Sequence, residues 1–308
     1  MLGIWFAGSG DKAPPFNGIF KTLGLLISFE QFDAGFFQLE HTESRRHEVL
    51  QTLENLISLD QCTTKELERL HGRLIWFNSF CFGRTLNMLI RYLLGFAHTA
   101  SRMIAVHGLL LRTLSDLKDQ LATVKPVQVH RDINKTRIIF TDGSFEPSSS
   151  NPAAVGAVLV SPSGVVTEFF GEWVHKQIVD QLLVASSHPI YELEVLPILL
   201  AATIWGPYIA NSLVVVFLDN EAARSAYIQG TAATEAGRTL LKQFTALEAA
   251  HNFFPWFGRV PTASNPADPP SRMSFSDAIL KTGRRIRISL PCGTLGKSGV
   301  GLGCAGKL

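Results

Sequence analysis

The sequence predicts an α/β domain over residues 137–275, a mixed five-stranded sheet with flanking helices, preceded by a mainly helical region over 43–136. Three patterns predict it. Runs rich in β-branched and aromatic residues follow one another at Arg137–Thr141, Val155–Val160 and Val165–Trp173, the last two joined by the turn Ser161–Pro162–Ser163–Gly164. Helical and strand patterns then alternate as far as residue 260, which places helices against a sheet. Upstream, apolar residues recur at helical spacing behind good capping residues.

Taken in order, residues 19–30 (IFKTLGLLISFE) and 34–40 (AGFFQLE) read as two short strands around a polar turn. A helix follows from about Ser44 to Leu59, with Val49, Leu53 and Leu56 on one face. Thr63–Thr64 opens a second helix, with Glu66 and Glu68 in its favourable first turn. The helical pattern continues to Leu117, and Pro126 with the polar stretch 130–136 marks a linker. Beyond the three strands come a helix over 190–205, a strand at 213–218, helices near 220–229 and 234–251, and a strand at 253–260. From 276 the chain turns basic and ends Gly-rich, the composition of a disordered tail.

Composition excludes several classes. Apolar residues make up 46% of the 308 residues and charged residues 18%, enough apolar surface to offset chain entropy. Cys62, Cys81, Cys292 and Cys304 form no CxxC pair and lie at no zinc-ligand spacing from a histidine. We therefore expect reduced thiols, no disulfide partner and an intracellular protein. The first residues show neither a basic start nor a sustained apolar run, so no signal peptide is expected. Residues 195–218 carry no charge and are long enough to span a bilayer. Pro197, Gly206–Pro207 and Asn211–Ser212 punctuate them, and LVVVFL at the end suits a buried strand. They are read as helix, turn and strand, with no membrane partner.

The net charge of +2 conceals alternation. Residues 1–70 hold 6 basic and 10 acidic side chains, 71–137 hold 10 and 3, 138–275 hold 6 and 12, and 276–308 hold 6 and 1. A basic block beside an acidic one fits a polyanion gripped by one region and presented to carboxylates in another.

Four acids stand where the sheet could gather them. Asp142 ends the first strand in IIFTDGS, where Gly143 permits a tight turn, and Asp219 ends the fourth in VVVFLDNEAA. Ends of neighbouring strands are where sites collect. Glu194 lies in the first turns of the helix IYELEVLPILLAA, and Asp268 sits in SNPADPPSR, whose prolines fit a helix start. Each alone has an ordinary reading as a turn or cap residue. Together they would repel one another unless a cation joined them, and hard oxygen donors select Mg²⁺ or Mn²⁺ over zinc.

TDGS on a hairpin strand, an E-x-L-P helix start, VVVFLDNEAA and the late N-x-AD-x-x-SR pattern together resemble the ribonuclease H domain of retroelement reverse transcriptases. SNPADPPSR, with LHGRLIWFNSFCFGR upstream, is similar to the DIRS-like type, in which a helical thumb or connection segment precedes that domain. The resemblance makes residues 1–42 a remnant of the polymerase palm, 43–136 the connection, 137–275 the ribonuclease H-like domain and 276–308 a tail. It implies that Asp142, Glu194, Asp219 and Asp268 bind two Mg²⁺ or Mn²⁺ ions that clamp the scissile phosphate of an RNA–DNA hybrid. Glu194 is preferred to Glu192 because Leu196 and Pro197 follow it in the family's order. Arg84, Arg91 and Arg102 in the basic block are candidates for phosphate contacts, and Ser144 and Asn220 for contacts to 2′-hydroxyls. The chain holds no DD dipeptide, so no polymerase activity is expected of it, and the missing polymerase part is an expected partner.

Overall fold

In the computed structural model the chain divides into two compact units, residues 1–82 with 89–132 and residues 83–88 with 133–308. Residues 17–79, 86–99, 101–130, 136–185 and 189–288 are described, without the side chains of 184 and 185.

The first unit opens on β1 (Ile19–Thr22), β2 (Leu25–Ser28) and β3 (Phe36–His41). The stretch read as one strand over 19–30 is thus a hairpin, turned at Leu23 and Gly24 with φ of 50° and 80°. Next come α1 (Glu43–Ile57), β4 (Gln61–Thr63) and α2 (Thr64–Asn78). Most of α3 (Asn87–Ala97), then β5 (Met103–Ala105), α4 (Gly108–Thr123) and β6 (Val127–His130) complete the unit. Helix α2 begins as its sequence requires. Thr63 Oγ1 accepts from the Glu66 backbone N–H at 3.2 Å, and the Glu66 carboxylate accepts from the Thr63 N–H at 2.7 Å. Its stripe Leu67, Leu70, Leu74 and Phe77 is buried.

Between Pro126 and the polar stretch read as a linker lies β6, which pairs antiparallel with β3 and extends the sheet to the order β1-β2-β3-β6, while residues 131–135 of that stretch fall outside those described. β1, β2 and β3 therefore share one unit with α1, α2 and α4. The helical run to Leu117 is also interrupted, because β4 and β5 pair across it.

The second unit holds β7 (Arg137–Phe145), β8 (Ala153–Val160), β9 (Val166–Trp173), α5 (Lys176–Ala185) and α6 (Ile190–Ile209). It continues with β10 (Leu213–Leu218), α7 (Glu221–Gln229), α8 (Glu235–His251) and β11 (Phe254–Arg259). The short α9 (Asp268–Ser271) and β12 (Arg284–Arg285) end it. The sheet order is β11-β10-β7-β8-β9-β12. β7, β8 and β9 form an antiparallel meander, whereas β10 runs parallel to both β7 and β11. The unit is a mixed α/β one, and among the described residues its sheet has six strands, not five. The sixth, β12, lies in the stretch read as a tail and pairs parallel with β9. Leu280, buried among Val158, Val160, Val166 and Phe169, anchors it. The remaining residues of that stretch, 289–308, fall outside those described.

Helix α6 is apolar all round, which is the mark of a helix buried on every side. It packs on β7, β8 and α8. It is also long and apolar enough to cross a membrane, but most of that length is buried inside this protein. The expected break at Gly206–Pro207 does not occur, and the helix runs on to Ile209.

Glycines bring the helices close to the sheet. A Cβ on Gly143 would overlap the Leu193 carbonyl at the start of α6, so this glycine serves close approach of a helix and not a turn. Gly156 and Gly171 face each other across β8 and β9, and a side chain on either would overlap the backbone of α9. Gly171→Ala is expected to cost about 1–3 kcal/mol through this overpacking, read as a lowered urea midpoint with an unchanged slope.

Candidate active site

Asp142 sits within β7, opposite Gly156, and not at the strand's end as its sequence was read. Successive side chains on a strand point to opposite faces. Gly143 therefore opens toward α6, and Asp142 projects to the other face, where α9 packs on Gly156 and Gly171. β10 pairs with β7 only as far as Phe140, so β7 outruns its parallel neighbour. Asp219 follows Leu218 at the end of β10, and Glu194 enters from the first turns of α6.

One carboxylate oxygen from each of Asp142, Glu194 and Asp219 lies within 4.8 Å of the other two. Among the described residues this is the one such grouping of acids, histidines or cysteines. Asp142 is 4% exposed, Glu194 5%, and Asp219 is half-buried. Glu192, also buried, is not in the cluster. Neither is Asp268, which begins α9 and accepts from Arg272 Nε at 2.9 Å.

The residues assigned to substrate have other engagements. Ser144 Oγ donates to the Ser271 carbonyl at 2.6 Å. Asn220 caps α7, its Oδ1 accepting from the Ala223 N–H at 3.0 Å. Arg91 on α3 and Arg102 just before β5 are exposed in the first unit. Arg84 lies outside the described residues.

Three residues that the sequence reading passed over touch the acids. Ser271 Oγ donates to Asp142 Oδ2. Asn265 Nδ2 reaches the Thr141 carbonyl at 3.0 Å and Asp142 Oδ1 at 3.4 Å. Thr262 Oγ1 donates to Asp219 Oδ2 at 2.7 Å. The available signal was the three-residue spacing of Asn265, Asp268 and Ser271 around a Pro-rich turn.

Burial pushes the Asp142 carboxyl up to about 7. The Ser271 hydrogen bond opposes this, the charges of Asp219 and Asp268 add to it, and Arg272 offsets part. Glu194 is pushed up to about 9, again chiefly by burial and then by Asp142 and Asp219, against a hydrogen bond from the Gly143 backbone. Glu194 Oε2 is buried without a hydrogen-bond partner. Such an oxygen is costly to bury. Three hard oxygen donors at this separation, one of them unsatisfied, fit a divalent cation.

No protein-family model matches the sequence, and no curated protein matches it significantly. Solved structures do. RNase H1 of the archaeon Halobacterium salinarum is 19% identical, over 46% of this chain and 99% of that one, with a TM-score of 0.36. LC11-RNase H1, solved with an RNA/DNA hybrid, is 17% identical over 45% of this chain and 95% of that one, at 0.34. A foamy viral protease-reverse transcriptase, also solved with an RNA/DNA hybrid, is 8% identical over 83% of this chain and 52% of that one, at 0.34.

Both raised carboxyls keep their protons in the fold after the unfolded chain has lost them, so stability falls as pH rises from about 4 towards 9. Thermal melts without metal are expected to show that fall, and millimolar Mg²⁺ or Mn²⁺ should reverse it most at the alkaline end. Metal-free melting temperatures that rise over this range would contradict the reading.

Proposed function

We propose that the second unit is a metal-dependent nuclease that hydrolyses the RNA strand of RNA–DNA hybrids, as the C-terminal part of a retroelement reverse transcriptase. The observation that carries this reading is the meeting of Asp142, Glu194 and Asp219, two of them buried, at the end of β10. Repelling carboxylates buried together are a cost to the fold, and a phosphodiester hydrolase is a use that justifies it. The resemblance of TDGS and SNPADPPSR supports the substrate class.

Asp142, Glu194 and Asp219 would hold the cation, with Asp268 beside them as ligand to a second. Mg²⁺ or Mn²⁺ bound there supplies Lewis acidity at the phosphate and a water of lowered pKa. In the hydrolysis a water oxygen would bond to phosphorus and give up a proton to solvent as the bond from phosphorus to the 3′ oxygen breaks. The products are a 5′-phosphate and a 3′-hydroxyl, the latter taking up a proton from solvent. Asn220 commits its Oδ1 to α7, which leaves its Nδ2 as a donor to a 2′-oxygen. Ser144 gives its one proton to the Ser271 carbonyl, so toward a 2′-hydroxyl it would act as an acceptor. Arg91 and Arg102 would grip phosphates.

The pairing of Asp268 with Arg272 favours a second reading, a retroelement fragment that binds nucleic acid or connects subunits without cutting. One assay separates the two, using labelled RNA–DNA hybrid beside duplex DNA and duplex RNA, with Mg²⁺ or Mn²⁺. Cleavage of the hybrid alone is expected. Asp142→Asn should lower the rate by about 100-fold or more, roughly 2.7 kcal/mol of lost transition-state stabilisation, with its circular dichroism unchanged. Hybrid binding with a steep salt slope, no metal dependence and no products would replace the first reading by the second.

A further inference from the structure

The segment Thr262–Arg272 (TASNPADPPSR) was singled out in the sequence for one residue, Asp268. In the fold it does more. Its side chains reach three separate acids: Thr262 reaches Asp219, Asn265 and Ser271 reach Asp142, and Arg272 reaches Asp268. We propose that Ser271 and Asn265 are positioning residues, which hold the Asp142 carboxylate from its two oxygens in the orientation that takes a divalent cation. The proposal rests on the metal-site reading above and deepens it.

The geometry separates this role from ordinary packing. A carboxylate turns about its terminal bond over a broad range, and engaging both oxygens restricts that turn more than engaging one. Ser271 takes Oδ2 and Asn265 lies against Oδ1, from two separate positions of one short segment. Ser271 is wholly buried and its hydroxyl has a single proton. Two acceptors lie within its reach, Asp142 Oδ2 and the Asp268 carbonyl, and the carboxylate is the nearer. Asn265 is itself fixed, since its Oδ1 accepts from the Ala267 N–H at 3.1 Å while Nδ2 serves the Thr141 carbonyl at 3.0 Å. That orientation presents the amide's donors, and not its oxygen, to Asp142.

The segment is in turn held down. Ser144 donates to the Ser271 carbonyl from the strand that bears Asp142. Gly156 and Gly171 let the α9 backbone approach at that level of the sheet. The bonds tie segment and carboxylate into one frame, which leaves Glu194 as the acid with an open buried oxygen. Groups that orient metal ligands in this way are typically worth 10–100-fold in metal affinity or activity.

The test uses the full chain with Mn²⁺ as probe, its affinity read by electron paramagnetic resonance of the free ion, beside the hybrid-cleavage assay. Ser271→Ala and Asn265→Ala are each expected to weaken Mn²⁺ binding about 10–100-fold. Both should lower kcat more than they raise KM, because the substrate contacts are untouched. Exposed Ser163→Ala is the control and should match the parent protein in both readouts. Should Ser271→Ala fail to fold, Ser271→Cys keeps the volume with a weaker donor, and reduced affinity is again expected. Folded Ser271 and Asn265 variants that bind Mn²⁺ as tightly as the parent overturn the proposal. A parent protein that binds Mn²⁺ but cuts no hybrid removes the nuclease reading and leaves the positioning role supported by the affinities. A parent that binds no Mn²⁺ overturns both.

Discussion

Three carboxyl groups whose oxygens lie within 4.8 Å of one another repel once ionised, and burying two of them removes the water that would screen the repulsion. The rest of the second unit can be understood as what it takes to impose that crowding. A pKa displacement of one unit corresponds to about 1.4 kcal/mol, and Asp142 and Glu194 are each displaced by more than that. Burial is the largest cause at both, so the same packing that stabilises the fold creates the strain at its site.

The imposition is made by elements that have no freedom to relax. α6 is buried along most of its length, and its start is pressed against Gly143, so Glu194 cannot retreat without uncovering the core. Asp142 belongs to a strand paired on both sides over its first half and to β8 throughout. Asp219 is bound to the end of β10 and held by Thr262. Each acid thus comes from a different element, and none carries its neighbours along if it shifts. A cation bound among them would offset the repulsion without any of these elements moving.

Local signals in the sequence were enough for the helices and for most strands. The Thr63–Glu66 capping box and the leucine stripe of α2 are decided by neighbours three and four residues away, so composition reveals them. Asp142, Glu194 and Asp219 could be nominated from strand-end and helix-start positions for the same reason. What escaped depends on distant partners. β6 and β12 are short, polar or basic, and are strands only because β3 and β9 offer an open edge. Gly143 reads as a turn residue until the approach of α6 shows what its missing side chain permits. Ser144 and Asn220 stand beside the acids in sequence, but position along the chain says nothing of the Ser271 carbonyl that Ser144 already engages or the Ala223 N–H that Asn220 caps.

The late segment illustrates why a site is harder to read than a fold. Asp268 stands out in it as an acid at a helix start within the N-x-AD-x-x-SR pattern, whereas Asn265 and Ser271 are the residues of the segment in contact with the central carboxylate. An uncharged donor buried against a carboxylate favours its ionised form, as Ser271 does at Asp142 against the larger effect of burial. Arg272 acts in the same direction at longer range while engaging Asp268 directly. The segment therefore counters the repulsion that the strands and α6 impose, and it does so without placing a cationic side chain among the three acids. A lysine or arginine in that position would satisfy Glu194 and relieve the strain, and in doing so would fill the place where a metal ion could bind. Neutral donors hold the acids in place and leave the charge unbalanced, which is the condition under which a divalent cation is attracted.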